Sequence, residues 1–172
     1  MQMIFQTARL ILRQITLKDA PLILKLNSDA DIVKYVHEPV LKNEQQAQEI
    51  ITTIILPQYK KNLGRWAIIN KEDESFMGWC GLKQLDETNE IDLGFRLMKQ
   101  YQGKGFATEA AMHTLDYGFN HLKIPLITAK VHTQNLASIN VIEKIGMQFI
   151  GEGMVDGNPV KTYTKANSIL KV

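Results

Sequence analysis

The sequence predicts an α/β (α+β) fold, a mixed and mostly antiparallel central sheet flanked by helices, and three observations carry that prediction. Residues 65–97 hold three strand-like runs, RWAIIN, SFMGWCGLKQL and EIDLGFRL, separated by KEDE and DETN, which are polar enough to turn hairpins. From Ala107 the apolar period becomes that of a helix, with Ala111, Leu115, Gly118, Phe119 and Leu122 on one face. Beyond Pro125 strand-like and helix-like runs alternate again, without a repeat, linker or low-complexity segment.

In chain order, the first element is a strand over residues 9–15 (RLILRQI), where apolar residues cluster. Thr16 followed by Asp19 resembles a capping box and starts a helix through APLILKLN. VKYVHEPVLK contains Pro39 and reads as a loop. Asn43 caps a second helix from Glu44 to Leu56, with Pro57 and Gly64 marking its broken end. The antiparallel meander and the helix from Ala107 follow. LITAKVH is the next strand, LASINVIEKIG a helix closed by Gly146, and MQFIGEG with VKTYTK a last strand pair across a DGNP turn. Residues 1–172 then form one domain, long enough to bury roughly two-thirds of the unfolded surface.

Apolar residues make up 45% of the chain and charged residues 22%, ordinary for a globular protein. A formal charge of +2 gives no basis for a nucleic-acid or membrane-surface partner. The one cysteine, Cys80, lies inside FMGWCGL and is expected in the core, and an intrachain disulfide is excluded. Four histidines without paired ligand spacing argue against a metal site. No basic leader precedes a long apolar stretch and no run of about 18 apolar residues occurs, so a soluble, cytoplasmic protein is expected.

The stretch QYQGKGFATEA, residues 100–110, carries the chemistry. Gly103 and Gly105 let the backbone bend sharply and approach a ligand, while the helix that follows offers unpaired N–H groups and the positive end of its dipole. An anion suits such a site, and a flexible turn that introduces the helix is the alternative. A nucleotide-binding phosphate loop does not fit, because Lys104 lies between the glycines and Phe106 follows the second.

Four landmarks in order, TARLILR, IDLGFRL, GKGFATEA and NLASINVIEKIGM, resemble the GNAT acyl-CoA N-acyltransferase superfamily over nearly the whole chain, and within it the RimJ/RimL-like branch. The superfamily signature Q/R-x-x-G-x-G/A is met from Gln102 to Ala107; a register from Gln100 also fits, but only the first runs directly into the helix. The resemblance implies a sheet splayed between IDLGFRL and LITAKVH, acetyl-CoA as cosubstrate, no metal, and direct attack of a primary amine in a ternary complex. The acceptor it implies is a protein N-terminal amine of the ribosomal-protein type, or a small amine such as an amino acid, polyamine or drug. A non-catalytic acyl-CoA-binding regulatory module is the competing class.

By the same resemblance, backbone N–H groups of Gln102, Gly103, Lys104, Gly105, Phe106 and Ala107 hold a pyrophosphate, with Thr108 adding a hydroxyl. Lys104 adds charge there or is a solvated lysine at a loop tip. Phe95, Arg96 and Leu97 line the pantetheine arm, Asn135 contacts it, and Ser138 lies near the sulfur. From the residues alone, Asn135 and Ser138 also read as helix caps. Many members carry a tyrosine general acid where this chain has Ile142, which makes Ser138 the candidate for assisting the leaving thiolate. A hydroxyl is a poor acid against a thiol of pKa about 8.5, so the role fits a hydrogen bond to sulfur or a relay through water.

Strand alternation puts Glu90, Asp92, Gly94 and Arg96 on one face. Asp92 is the candidate general base, and a solvated strand carboxylate is the alternative reading. Gly94 predicts irregular backbone. A weak base favours an α-amine of pKa near 8 over a lysine near 10.4. Tyr35, His37, Glu38 and Trp66 are acceptor-side candidates, although Trp66, flanked by Ala67 and Ile68, also reads as core. The final strand pair offers an edge to a second subunit, as in a homodimer.

Overall fold

Short apolar runs bounded by polar turns pair into one sheet, seen here in a computed structural model that describes residues 2–36 and 38–168. The strands are β1 (Met3–Gln6), β2 (Leu10–Gln14), β3 (Gly64–Asn70), β4 (Phe76–Gln84), β5 (Ile91–Leu97), β6 (Leu126–His132), β7 (Gln148–Val155) and β8 (Asn158–Ala166), in the order β1-β2-β3-β4-β5-β6-β8-β7. Neighbours are antiparallel except β5 and β6, which run parallel. The mixed, mostly antiparallel sheet is the one expected. The β4–β5 register is unbroken from Gly78–Leu97 to Gln84–Ile91, whereas β5 and β6 share the single pair Asp92–Thr128. Beyond that pair the two strands part.

Helices cover both faces: α1 (Ala20–Asn27), α2 (Ala30–Val33), α3 (Glu44–Ile50), α4 (Leu56–Tyr59), α5 (Phe106–Asn120) and α6 (Leu136–Lys144). Adjacent strand residues divide between two apolar clusters. Trp66 and Cys80 pack with Ala111 and Leu115 of α5, while Ala67 and Trp79 pack with Ala20 and Ile23 of α1 and Ala47 of α3. Cys80 is buried with Sγ 3.3 Å from Thr114 Oγ1, and burial pushes its thiol up to about 12. At that value it stays protonated and serves as core.

The helix starts follow their caps. Thr16 donates from its N–H and Oγ1 to Asp19 Oδ2, at 2.7 and 3.1 Å, and both Nη atoms of Arg13 donate to the same carboxylate. Asn43 Oδ1 accepts the Gln46 N–H at 3.0 Å. The second predicted helix runs on past Leu56, contrary to expectation. A wide π turn over Ile51–Ile55 leads into α4, and Pro57 falls in the first turn of α4, where a missing N–H is tolerated. Two short elements, β1 and the single turn α2, are additions to the predicted order. No helix among the described residues is long and apolar enough to cross a membrane.

Candidate functional site

Where β5 and β6 part, a cleft of ≈ 810 Å³ opens. Its walls include Gly94, Phe95 and Arg96 of β5, Lys130, Val131 and His132 of β6, Asn135 and Ser138 at the start of α6, and Tyr35 and Glu38 from the segment after α2. Parallel strands that diverge leave facing backbone groups without ladder partners, so the cleft is polar along its seam.

Asp92 sits at the vertex, on the one registered pair between the strands. The residue is half-buried, but its Oδ1 is closed off from solvent and has no hydrogen-bond partner among the described residues. Burial pushes the carboxyl up to about 7, against the opposing charges of Lys83 and Lys130 and a bond from the Lys130 backbone N–H. Neighbouring Glu90 is committed elsewhere, to Lys130 Nζ at 2.9 Å. Asn135 caps α6, its Oδ1 accepting the Ser138 N–H at 3.2 Å. Both residues nevertheless line the cleft, so capping does not take them out of it.

The opposite wall joins Glu38 and Arg96, both named from the sequence, to Arg65, which was not. Arg65 Nη2 donates to Glu38 Oε1 at 2.7 Å and Arg96 Nη1 to Glu38 Oε2 at 2.8 Å. Arg96 Nη1 also donates to Asn27 Oδ1 at 2.6 Å. Both guanidinia lie by the Trp79 ring, Cζ to centroid 4.5 Å for Arg65 and 5.4 Å for Arg96. Burial opposes ionisation of Glu38, but the two guanidinia outweigh it and hold the carboxyl at about 2. Gly94 makes room for this ring, since a Cβ there would stand 3.2 Å from Trp79 Cη2 and Cζ3. The backbone at Gly94 is regular, against expectation, because the glycine serves packing and not a bulge.

The glycine loop precedes α5. Gly103 and Gly105 have φ of 72° and 80°, in the left-handed region that glycine adopts without strain. Gly105 is the N-cap and no side chain caps the helix among the described residues, so the N–H groups of the first turn stay open. A Cβ at Gly103 would meet nothing within 4 Å. The loop therefore joins open donors to open space, a combination that fits an anionic group. Gln102 is an exception, since its N–H donates to Lys99 O and its Nε2 to Leu97 O, so it holds the loop in place instead of offering a donor.

Arg9 fastens this loop to the sheet. Its Nε donates to Glu109 Oε2 at 2.7 Å, its Nη1 to Lys104 O at 3.2 Å, and its guanidinium lies 4.3 Å from the Phe106 ring centroid. Thr7 Oγ1 donates to the same carboxylate at 2.6 Å. Glu109 lies in the first turn of α5, where a negative charge is favoured. Arg9→Ala is expected to lower the thermal midpoint by a few degrees, about 1 kcal/mol for a half-exposed pair plus a cation–π contact. Amide exchange at Gly103–Phe106 should quicken with it, and unchanged exchange would contradict the fastening role.

The other predicted residues distribute as follows. Tyr35 lines the cleft with its ring 5.1 Å from that of His132. Trp66 does not line it: the ring is buried between Phe5 and Tyr117, at centroid distances of 6.1 and 5.4 Å. Leu97 likewise points into the core beneath α5, and Arg96 turns to Glu38 on the opposite face. Lys104 is exposed, and Ala107 and Thr108 are half-buried in the first turn of α5. His37 lies outside the described residues.

A family described as an acetyltransferase (GNAT) domain matches residues 9–148. The uncharacterised N-acetyltransferase p20 of Bacillus licheniformis is 34% identical over 165 residues, covering 95% of this chain and 89% of its own. Spermidine N(1)-acetyltransferase of Escherichia coli is 25% identical over 147 residues, covering 83% and 75%. The solved structure of RimL, a ribosomal alpha-N-protein acetyltransferase in complex with coenzyme A, superposes with a TM-score of 0.83 at 15% identity, covering 96% of this chain and 98% of its own.

Proposed function

This chain belongs to the GNAT acetyltransferase family and is an acetyltransferase, and we propose that it moves an acetyl group from acetyl-CoA to the α-amine of a protein or peptide N-terminus. In this reading it is a single-domain, metal-independent, cytoplasmic enzyme of the RimJ/RimL-like branch. The observation that carries the choice of amine is Asp92, a shut-in carboxyl at about 7 on the seam of the cleft. A base of that strength suits an α-amine of pKa near 8 better than a side-chain amine near 10.4.

The open N–H groups from Gly103 to Ala107 and the Thr108 hydroxyl would hold the pyrophosphate, with Lys104 adding charge. Phe95 and Asn135 line the path of the pantetheine arm. When bound, acetyl-CoA supplies an already activated acyl carbon, so no covalent enzyme intermediate is required. Unpaired N–H groups on the parted edge of β5 would stabilise charge developing on the carbonyl oxygen. Asp92 accepts the amine proton, directly or through water, and the Ser138 hydroxyl donates a hydrogen bond to the departing sulfur. The exposed Phe149, Ile150 and Met154 on the edge strand β7 suit a second copy of the chain, which gel filtration with light scattering would detect.

The test is thiol release from acetyl-CoA with a panel of N-terminal peptides and small amines. Peptide α-amines should be the better acceptors, and Ser138→Ala should lower kcat by about tenfold with little change in acetyl-CoA affinity. Tight acetyl-CoA binding without turnover on any acceptor would instead identify a binding module.

A further inference from the structure

We infer that the acceptor carries a carboxylate near its amine and that Arg65 and Arg96 receive it; the inference rests on the acetyltransferase reading of the same cleft. Two buried guanidinia meet a single carboxylate, each taking one oxygen of Glu38. The remaining partner of Arg96, Asn27 Oδ1, is neutral. The cluster therefore keeps one positive charge unmatched. Trp79 supports both cations without cancelling either.

Buried charges are ordinarily paired, because an unmatched ion loses hydration without recompense. Among the described residues, Nε and Nη1 of Arg65 and Nε and Nη2 of Arg96 make no hydrogen bond. Both side chains line the cleft. The other cleft carboxylates that are exposed, Asp86, Glu87 and Asp156, form no ion pair with either arginine. Free guanidinium donors beside a surplus positive charge match a carboxylate in geometry and sign. At the cluster itself the second ammonium of a polyamine would meet like charge.

Two sources supply that chemistry: an acidic side chain at a peptide N-terminus, or the α-carboxylate of a free amino acid. The experiment compares kcat/KM for peptides beginning with aspartate or glutamate, the same peptides beginning with asparagine or glutamine, free alanine, alanine amide and spermidine. Carboxylate-bearing acceptors should be favoured over their amides by about tenfold or more, mostly through KM. The favoured set, peptides or free amino acids, names the source.

In Arg65→Gln that preference should shrink to about twofold, because the cluster becomes a matched Arg96–Glu38 pair, and Arg65→Lys should restore part of it. A role of Arg65 in folding alone would lower activity on all acceptors together and leave the ratio untouched, which overturns the inference. Equal or faster turnover of amides or spermidine overturns it as well while leaving acetyl transfer intact. Acetyl-CoA binding with no turnover on any acceptor overturns the acetyltransferase reading, and the inference with it.

Discussion

Gly105→Glu is expected to weaken acetyl-CoA binding by about two orders of magnitude or more, read by calorimetric titration. At φ 80° a side chain costs about 1–2 kcal/mol in left-handed strain, a charge on stability that is felt with or without ligand. The new Cβ meets no wall, only Arg9 Nη2 at 3.5 Å, so the protein should still fold. What changes is the anion seat: a fixed carboxylate at the N-cap takes up the open N–H groups of α5 and repels a pyrophosphate. Hydrogen bonds to a charged group contribute about 1.5–3 kcal/mol each, and loss of two spans about 3–6 kcal/mol. Gly105→Ala separates the two effects. It carries the strain alone and should lower the thermal midpoint by a few degrees while keeping affinity within about tenfold. Equal affinity in Gly105→Glu and the native chain would remove the loop from the cofactor site.

That loop was legible in the sequence because its requirement is local: positive φ before an uncapped helix calls for glycine, and two glycines stand there. The strands β3 to β6 were legible for a similar reason, since short apolar runs and polar turns act over a few residues. β1 was not, because MIFQ becomes a strand only by pairing with β2, and the end of α4 was hidden by a π turn that carries the helix through Pro57. The two tryptophans show a sharper limit. Trp66 and Trp79 both lie in apolar strand segments, and one residue of register decides which sheet face each occupies. Trp66 pairs opposite Cys80 in the core under α5, while Trp79 pairs opposite Arg96 and faces the cleft. Of the two readings of Trp66, the structure bears out the core one. Nor does any local signal join Glu38 to Arg65, 27 residues away, or Arg9 to Glu109, 100 residues away. Tertiary structure alone makes those pairs, and the first of them completes the cluster of Arg65, Glu38 and Arg96.

Asp92→Asn carries the second large effect, and it has opposite signs on activity and stability. The carboxyl is raised to about 7 by burial, so the fold favours its protonated form. A raised acid contributes its full stability below the ordinary value near 3.8 and loses it as pH rises through 7, a difference of roughly 4 kcal/mol by pH 9. The neutral asparagine escapes that loss, so the variant should melt several degrees higher than the native chain at pH 8–9, with the gap closing below about pH 4. Catalysis runs the other way. Removing the proton acceptor should lower kcat/KM by about 10²–10³. The pH profile distinguishes this from a packing effect. In the native enzyme, log kcat/KM should climb with a slope of about two below pH 7, where Asp92 and an acceptor amine near 8 both lose protons, and about one between 7 and 8. In the variant only the amine's own limb remains, with a slope of about one throughout. A variant that is slower but keeps the steeper limb would move the base to another group. A variant that is no slower at all would leave Asp92 as a carboxyl that destabilises the fold at high pH and does nothing for the reaction.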